Sequence, residues 1–228
     1  MGGRPPNASK QQPFAPEAPL PQSQYGAQEL TQDEKIAMRN GDMIIICSPK
    51  QYAETIQLLS KEQQETMKLL GLGGLLNMKV VTLRRIMLVK IAKTYTLQSH
   101  CFVLGGREIP IFATDVYKVM DLPIKGTTKK KINDELFNQY KTAGKAHISL
   151  QWLRDNILRS KKVDEDFIRQ IVLYTICVIL APTTYYHVDS KYLSLVENVS
   201  DIPKLNWGTF TLSHLLGSAS ILLFKKTN

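Results

Sequence analysis

Apolar positions along the chain change their period several times, and each change marks an element. Between residues 80 and 96, Leu83, Ile86, Met87, Ile91 and Tyr95 recur at helical spacing with Arg85 and Lys93 opposite, which predicts an amphipathic helix. Leu150, Leu153, Ile157 and Leu158 repeat that spacing and predict a helix over about 149–160. The run "IVLYTICVILAP" at 171–182 has no polar face, so it reads as the buried end of a helix over about 164–181. Further helices are expected at about 132–142 and 207–225, with a short one near 190–197. Two short apolar runs, "CFVL" and "EIPIF", flank Gly105-Gly106-Arg107 and predict a β-hairpin at about 101–112. Pro110 confines its second strand to an edge, and so short a hairpin must pack on helices to persist.

Polar punctuation sets the boundaries. "TQDE" from Thr31, "SPKQ" at 48–51 and "SKEQ" at 60–63 share the capping-box form, and the last two predict abutting helices over about 49–59 and 61–70. "GLGG" at 71–74 stops the second. Thr114 is the expected cap of "DVYKVM", and Leu122-Pro123 its stop. Asp164, Glu165 and Asp166 crowd a first helical turn, where the helix dipole favours negative charge. Residues 1–26 contain six prolines and few apolar side chains, a composition that predicts a disordered Pro/Gln-rich tail. Residues 27–228 then form one mainly α, multi-helix domain with one small hairpin. Its final stretch, "NWGTFTLSHLLGSASILLF" at 206–224, reads as a core helix, or as a helix that docks on a further C-terminal portion, since the chain ends four residues later at Asn228.

Composition narrows the classes. The chain has 228 residues, 43% of them hydrophobic, enough for one sizeable core. Cys47, Cys101 and Cys177 are widely spaced and form no CxxC, which argues against a disulfide framework or a zinc site and fits a reducing, intracellular compartment. The N-terminus has no apolar signal-peptide segment, and the longest apolar run falls well short of the ~20 residues of a membrane span. No membrane association is expected. The formal net charge is +9, and residues 125–162 hold ten basic side chains against three acidic ones, a net +7. Such a field attracts anions, nucleic acid among them, or is simply a solvated surface.

Tests for catalytic chemistry come out empty. "GLGG" lacks the full dinucleotide-binding pattern, and "AGKAHIS" at 143–149 lacks both the first glycine and the Ser/Thr of a phosphate loop. Cys101 beside His100 invites a nucleophile–base reading, but adjacent strand residues point to opposite faces. His100, His147, His187 and His214 are far apart and make neither HxxxH nor HxH. No catalytic residue, cofactor site or metal ligand is predicted. The binding candidates are Lys125, Lys129, Lys130, Lys131, Arg159, Lys161 and Lys162, with Tyr140 and Trp152 available for base stacking and Trp152 open equally to a core reading. Lys129, Lys130 and Lys131 also suit a nuclear-import signal or a solvated loop.

"GREIPIFATDVYKVMDLPIKG" resembles the pattern of plant mobile domains, also called aminotransferase-like plant mobile domains. It is similar, too, to the related plant domain found upstream of SUMO-protease-like modules in mobile elements. Glu108, Ile109, Ile111, Thr114, Asp115 and Val116 match the hairpin-to-helix motif, and Leu122, Pro123 and Gly126 match the stop, with Asp121 where glycine is common. "CSPKQYAETIQLLSKEQQETMKLLGLGGLL" is similar to that family's first two helices and glycine turn, with Leu72 in place of an aromatic residue. "YLSLVENVSDIPKLNWGTFTLSHL" is similar to its later part, where an Asn-Trp pair, here Asn206-Trp207, precedes a helix. The resemblance covers roughly 41–225. It implies a transposon-derived or domesticated plant protein linked to mobile elements or nuclear silencing, and it carries over no catalytic residue. The leading expectation is a non-catalytic interaction module with a protein partner, in a nuclear setting. A nucleic-acid-binding module using 125–162 is the alternative, and a third class is an enzyme whose polar groups only the fold would bring together.

Overall fold

The computed structural model describes residues 48–79, 84–127, 134–141, 147–182 and 187–224. The expected tail over 1–26, the Thr31 capping box, Cys47, and Lys129, Lys130 and Lys131 lie outside the described residues.

Helix α1 (Pro49–Gln57) begins where the Ser48 hydroxyl accepts the Gln51 N–H at 3.4 Å, with Pro49 at a position that needs no N–H donor. Helix α2 (Lys61–Leu69) opens on the full reciprocal box: Ser60 Oγ accepts from Gln63 N at 3.2 Å, and Gln63 Oε1 accepts from Ser60 N at 2.9 Å. It ends as the glycines require. Gly71 takes φ +76°, Leu72 N donates to Met67 O, and Gly71 N donates to Lys68 O, which closes the last turn. A 3₁₀ turn follows at Gly73–Asn77.

The helix expected over 80–96 is shorter. Residues 80–83 fall outside the described set, and α3 spans Arg85–Ala92. Thr94 Oγ1 donates to Ile91 O at 2.8 Å, a local side-chain bond that competes with helix continuation. Tyr95 therefore leaves the helix and bridges to Phe102, their ring centres 5.1 Å apart, while Met87 stays exposed.

The hairpin forms as expected but spans less than 101–112. Strand β1 (Phe102–Leu104) pairs antiparallel with β2 (Arg107–Ile109), with Phe102 opposite Ile109 and Leu104 opposite Arg107. Gly105 and Gly106 make the two-residue turn at φ +57° and +75°, the mirror-image geometry that matches strand twist. Pairing stops before Pro110, which has no N–H to give.

Helix α4 (Ala113–Met120) is not capped by Thr114, which lies within it and is exposed. The Asp115 carboxylate accepts the Phe112 N–H at 2.9 Å instead. An acidic group in the first turn satisfies a free donor and complements the helix dipole together. Asp121 then turns the chain at φ +51°. Helix α5 (Asp134–Tyr140) precedes α6 (Leu150–Arg159), which Ser149 caps at Trp152 N, and α7 (Glu165–Thr175), which Asp164 caps at Phe167 N. The expected α-helix to 181 changes at Ile176–Leu180 into a wider π turn, closed by Ala181 N donating to Ile176 O. Residues 171–181 are all buried, as an apolar run without a polar face demands.

Helix α8 (Leu193–Val196) follows a 3₁₀ turn at Ser190–Tyr192, a second such turn spans Val199–Lys204, and α9 (Trp207–Phe224) completes the described chain. One principal core gathers side chains from α1, α2 and α4–α9, with Trp207, Tyr52, Tyr174 and Phe167 its largest fully buried members. A small second core joins Tyr95 and Phe102 to Ala219 of α9, flanked by Ile91, Ile111 and Leu216. The protein is mainly α with a two-stranded antiparallel hairpin.

Candidate functional site

Five of the motif residues singled out in the sequence converge on one knot of chain. Leu122 is fully buried, and Pro123 O accepts the Gly208 N–H at 2.9 Å. Asn206 works twice: its Nδ2 donates to Ile124 O at 2.8 Å, and its Oδ1 caps α9 by accepting Thr209 N at 2.9 Å. Trp207, 1% exposed, donates its indole N–H to Leu70 O at 3.1 Å, tying α9 to the end of α2. Thr127 N donates to Lys204 O, and Asn206 N to Thr127 O, so the backbone runs as a short ladder past Gly126. A side chain at Gly126 would strike the Lys204 carbonyl, and one at Gly74 would strike the Met120 carbonyl. Buried apolar packing and paired main-chain groups fill this knot, so it specifies structure. Asp115 serves α4 as its cap, while Glu108 and Thr114 are exposed and stand outside the knot.

Among the described cationic candidates, Lys125, Arg159, Lys161 and Lys162 are all exposed, and none makes an ion pair with a described residue. Lys50, Lys68, Lys118, Lys191 and Lys204 each do. Gln63 Nε2 donates to Ser160 O at 3.0 Å, which brings Arg159, Lys161 and Lys162 beside the start of α2 and its exposed Lys61. Lys125 lies on the connection bonded to Lys204. Tyr140 is no stacking platform. It is buried, its hydroxyl donates to Asp166 Oδ1 at 2.6 Å, and its ring tilts against half-buried Trp152 with centres 6.1 Å apart. Arg169 completes this corner, bonding Glu165 at 2.6 Å and Val196 O at 3.2 Å, so α5, α7 and α8 are held together by charge-assisted bonds.

Among the described residues, the reactive side chains singled out in the sequence do not combine into a catalytic set. His100 sits in a left-handed turn before the strand, with Nδ1 3.3 Å from Tyr95 Oη, while Cys101 Sγ donates to Ser99 O. Cys177 is fully buried in the π turn, and that burial pushes its thiol up to about 12, far from a reactive thiolate. The histidines are less scattered than their spacing suggests: His147 and His187 meet with ring centres 5.1 Å apart. No signal in the sequence marks that encounter, because it depends on Ser149 pairing with His187 across the fold. Among the described residues no three metal-ligating side chains converge, and no helix is long and apolar enough to cross a membrane.

The conspicuous surface feature is apolar. Phe102, Leu104 and Ile109 share one face of the hairpin by register, with exposed Arg107 on the same face opposite Leu104. Phe102 is buried against α9, but Leu104 and Ile109 carry that face outward into solvent. Phe112 (58% exposed) continues it along the chain, and on α9 Leu215 and Ile221 (59% exposed) flank the contact made by Leu216 and Ala219. Helix α9 carries no Asp, Glu, Lys or Arg, its polar side chains being scattered hydroxyls and His214, yet Leu215, Gly217, Ser218 and Ile221 are exposed.

Neither the curated proteins nor the solved structures hold a match to this chain. A family match does cover residues 45–227, and so takes in the motif knot, the hairpin and α9 alike. The chain belongs to the family described as Domain of unknown function DUF8566.

Proposed function

We propose that the chain is a non-catalytic interaction module of mobile-element origin, which engages a protein partner in the nucleus through the face of the hairpin and the distal half of α9. One observation carries the reading: Leu215 and Ile221 stand exposed on α9, which bears no Asp, Glu, Lys or Arg, beside a hairpin segment whose Leu104, Ile109 and Phe112 also run into solvent. The resemblance to plant mobile domains supports the origin and the nuclear setting. Leu122, Pro123, Gly126, Asn206 and Trp207 are taken up by the fold, and Asp115 by the start of α4. The test uses the full chain as bait, alongside Phe112→Asp and Ile221→Asp, each checked for unchanged circular dichroism. A partner retained by wild type and lost by both variants is the expected result. A partner held equally by all three would move the interface elsewhere.

A second reading rests on Lys125, Arg159, Lys161 and Lys162, exposed and without carboxylate partners among the described residues. Unpaired cations suit phosphate contacts, whose affinity falls with salt as counterions return. Fluorescence anisotropy with DNA and RNA at low and near-physiological salt tests it. Saturable, salt-sensitive binding weakened by Arg159→Ala/Lys161→Ala/Lys162→Ala supports this reading, and no binding at low salt removes it.

A further inference from the structure

The pairing that joins Ser149 to His187 does more than close the core. Val188 N donates to Ile148 O at 2.9 Å, so the two short segments run antiparallel with Ile148 opposite Val188. Both of those side chains are buried in the principal core. Alternation along each segment then turns His147, Ser149, His187 and Asp189 to the outward side. His147 and His187 are diagonal neighbours there, both half-buried, and their rings lie 5.1 Å apart at 39°.

That separation has a chemical meaning. Two imidazoles sharing one tetrahedral ion, each with a metal–nitrogen bond of about 2.0–2.1 Å, hold their ring centres roughly 5.2 Å apart. We propose that His147 and His187 form a two-histidine site for a borderline divalent cation of the zinc, copper or nickel class. Imidazole nitrogen suits these ions, whereas magnesium and calcium demand oxygen. No third metal-ligating side chain among the described residues joins the pair. Asp189 shares the outward side, but Lys191 Nζ holds its carboxylate at 2.7 Å. Water completes the coordination shell, which leaves positions open to an exogenous ligand. The backbone pairing holds the two histidine-bearing segments against the core, which limits the entropy lost on binding.

The full chain, stripped with a chelator and dialysed, is titrated with cobalt(II) and followed by its visible d–d absorption. The expected result is saturable uptake of one equivalent with a tetrahedral or five-coordinate spectrum, displaced by zinc. His147→Gln and His187→Gln, which keep side-chain size and polarity, should each weaken uptake by about tenfold or more with unchanged circular dichroism. His100→Asn, away from the pair and tolerant of that left-handed backbone, should not change it. No saturable uptake by the folded wild-type chain overturns the proposal, and so does uptake that both glutamine variants retain. Neither result bears on the hairpin face, so this site stands or falls separately from the proposed interaction.

Discussion

Gly74 lies in the turn after α2, directly beneath the end of α4. A methyl group built on it falls inside van der Waals contact with the Met120 carbonyl oxygen, 2.5 Å from Asp121 Cβ and 3.0 Å from Met120 C. Two of these three atoms are backbone, so no side-chain rotation relieves the clash. Restoring an ordinary separation moves the α4 terminus by roughly 1 Å. The displacement passes to Leu122, which is fully buried, and to Pro123, which packs beside Gly71 and Trp207. Overpacking of this kind costs about 1–3 kcal/mol, while Gly→Ala returns under ~1 kcal/mol of chain entropy. Gly74→Ala should therefore destabilise by about 2 kcal/mol, a fall in Tm of roughly 4–8 °C for a chain of this size. Gly217→Ala is the opposite case. It sits within α9 with nothing within 4 Å of the added atom, and should stabilise by about 0.5–1 kcal/mol. Urea unfolding of both variants, fitted with a common m-value, reads the contrast. A Gly74→Ala midpoint equal to wild type, or equal to that of Gly217→Ala, would refute the close packing of α4 on the glycine turn.

Three other outcomes follow from local chemistry. Asp121→Gly should be neutral or stabilising by up to about 1 kcal/mol in the same assay, because Asp121 holds φ +51°, which glycine adopts without a side-chain clash. Tyr140→Phe removes the 2.6 Å bond to Asp166 and should cost about 1–2 kcal/mol, with faster amide exchange confined to α5. His214 is half-buried with Nε2 3.1 Å from Pro182 O, and burial lowers its pKa from the ordinary 6.5. Its folded form thus binds the proton less readily than the unfolded chain. The corresponding stability is present above the unfolded pKa and lost as pH falls through the folded value. Unfolding measured across that acidic window should show a slope that His214→Gln lacks.

The caps at Ser48 and Ser60 were legible before the fold because they are local, each hydroxyl lying three residues from the N–H it accepts. Asp164, read as part of the first turn, stands one place earlier as the cap that accepts Phe167 N. The hairpin was legible because two glycines in sequence permit few other turns. Thr114 misled because the helix begins before it, at Ala113, so that Asp115 in the first turn reaches back to the Phe112 N–H. Tyr95 was placed on a helix face because spacing alone does not reveal that Thr94 turns the chain toward Phe102. Tyr140 looked available for base stacking because its buried bond to Asp166 spans 26 residues and leaves no local sign. The His147–His187 encounter and the double role of Asn206 are long-range in the same way. Glycines that stop helices announce themselves, whereas Gly74 matters through an approach by α4 that no pattern near it encodes.

The most direct test of the interaction reading is site-specific photocross-linking of the full chain in cells, with the probe placed in turn at Phe112, Ile221 and Leu69. Leu69 is 76% exposed on α2 and is the matched apolar control. The account predicts one common adduct from Phe112 and Ile221 and none from Leu69. Equal adducts from all three positions, or adducts from Leu69 alone, would contradict a docking face on the hairpin and α9.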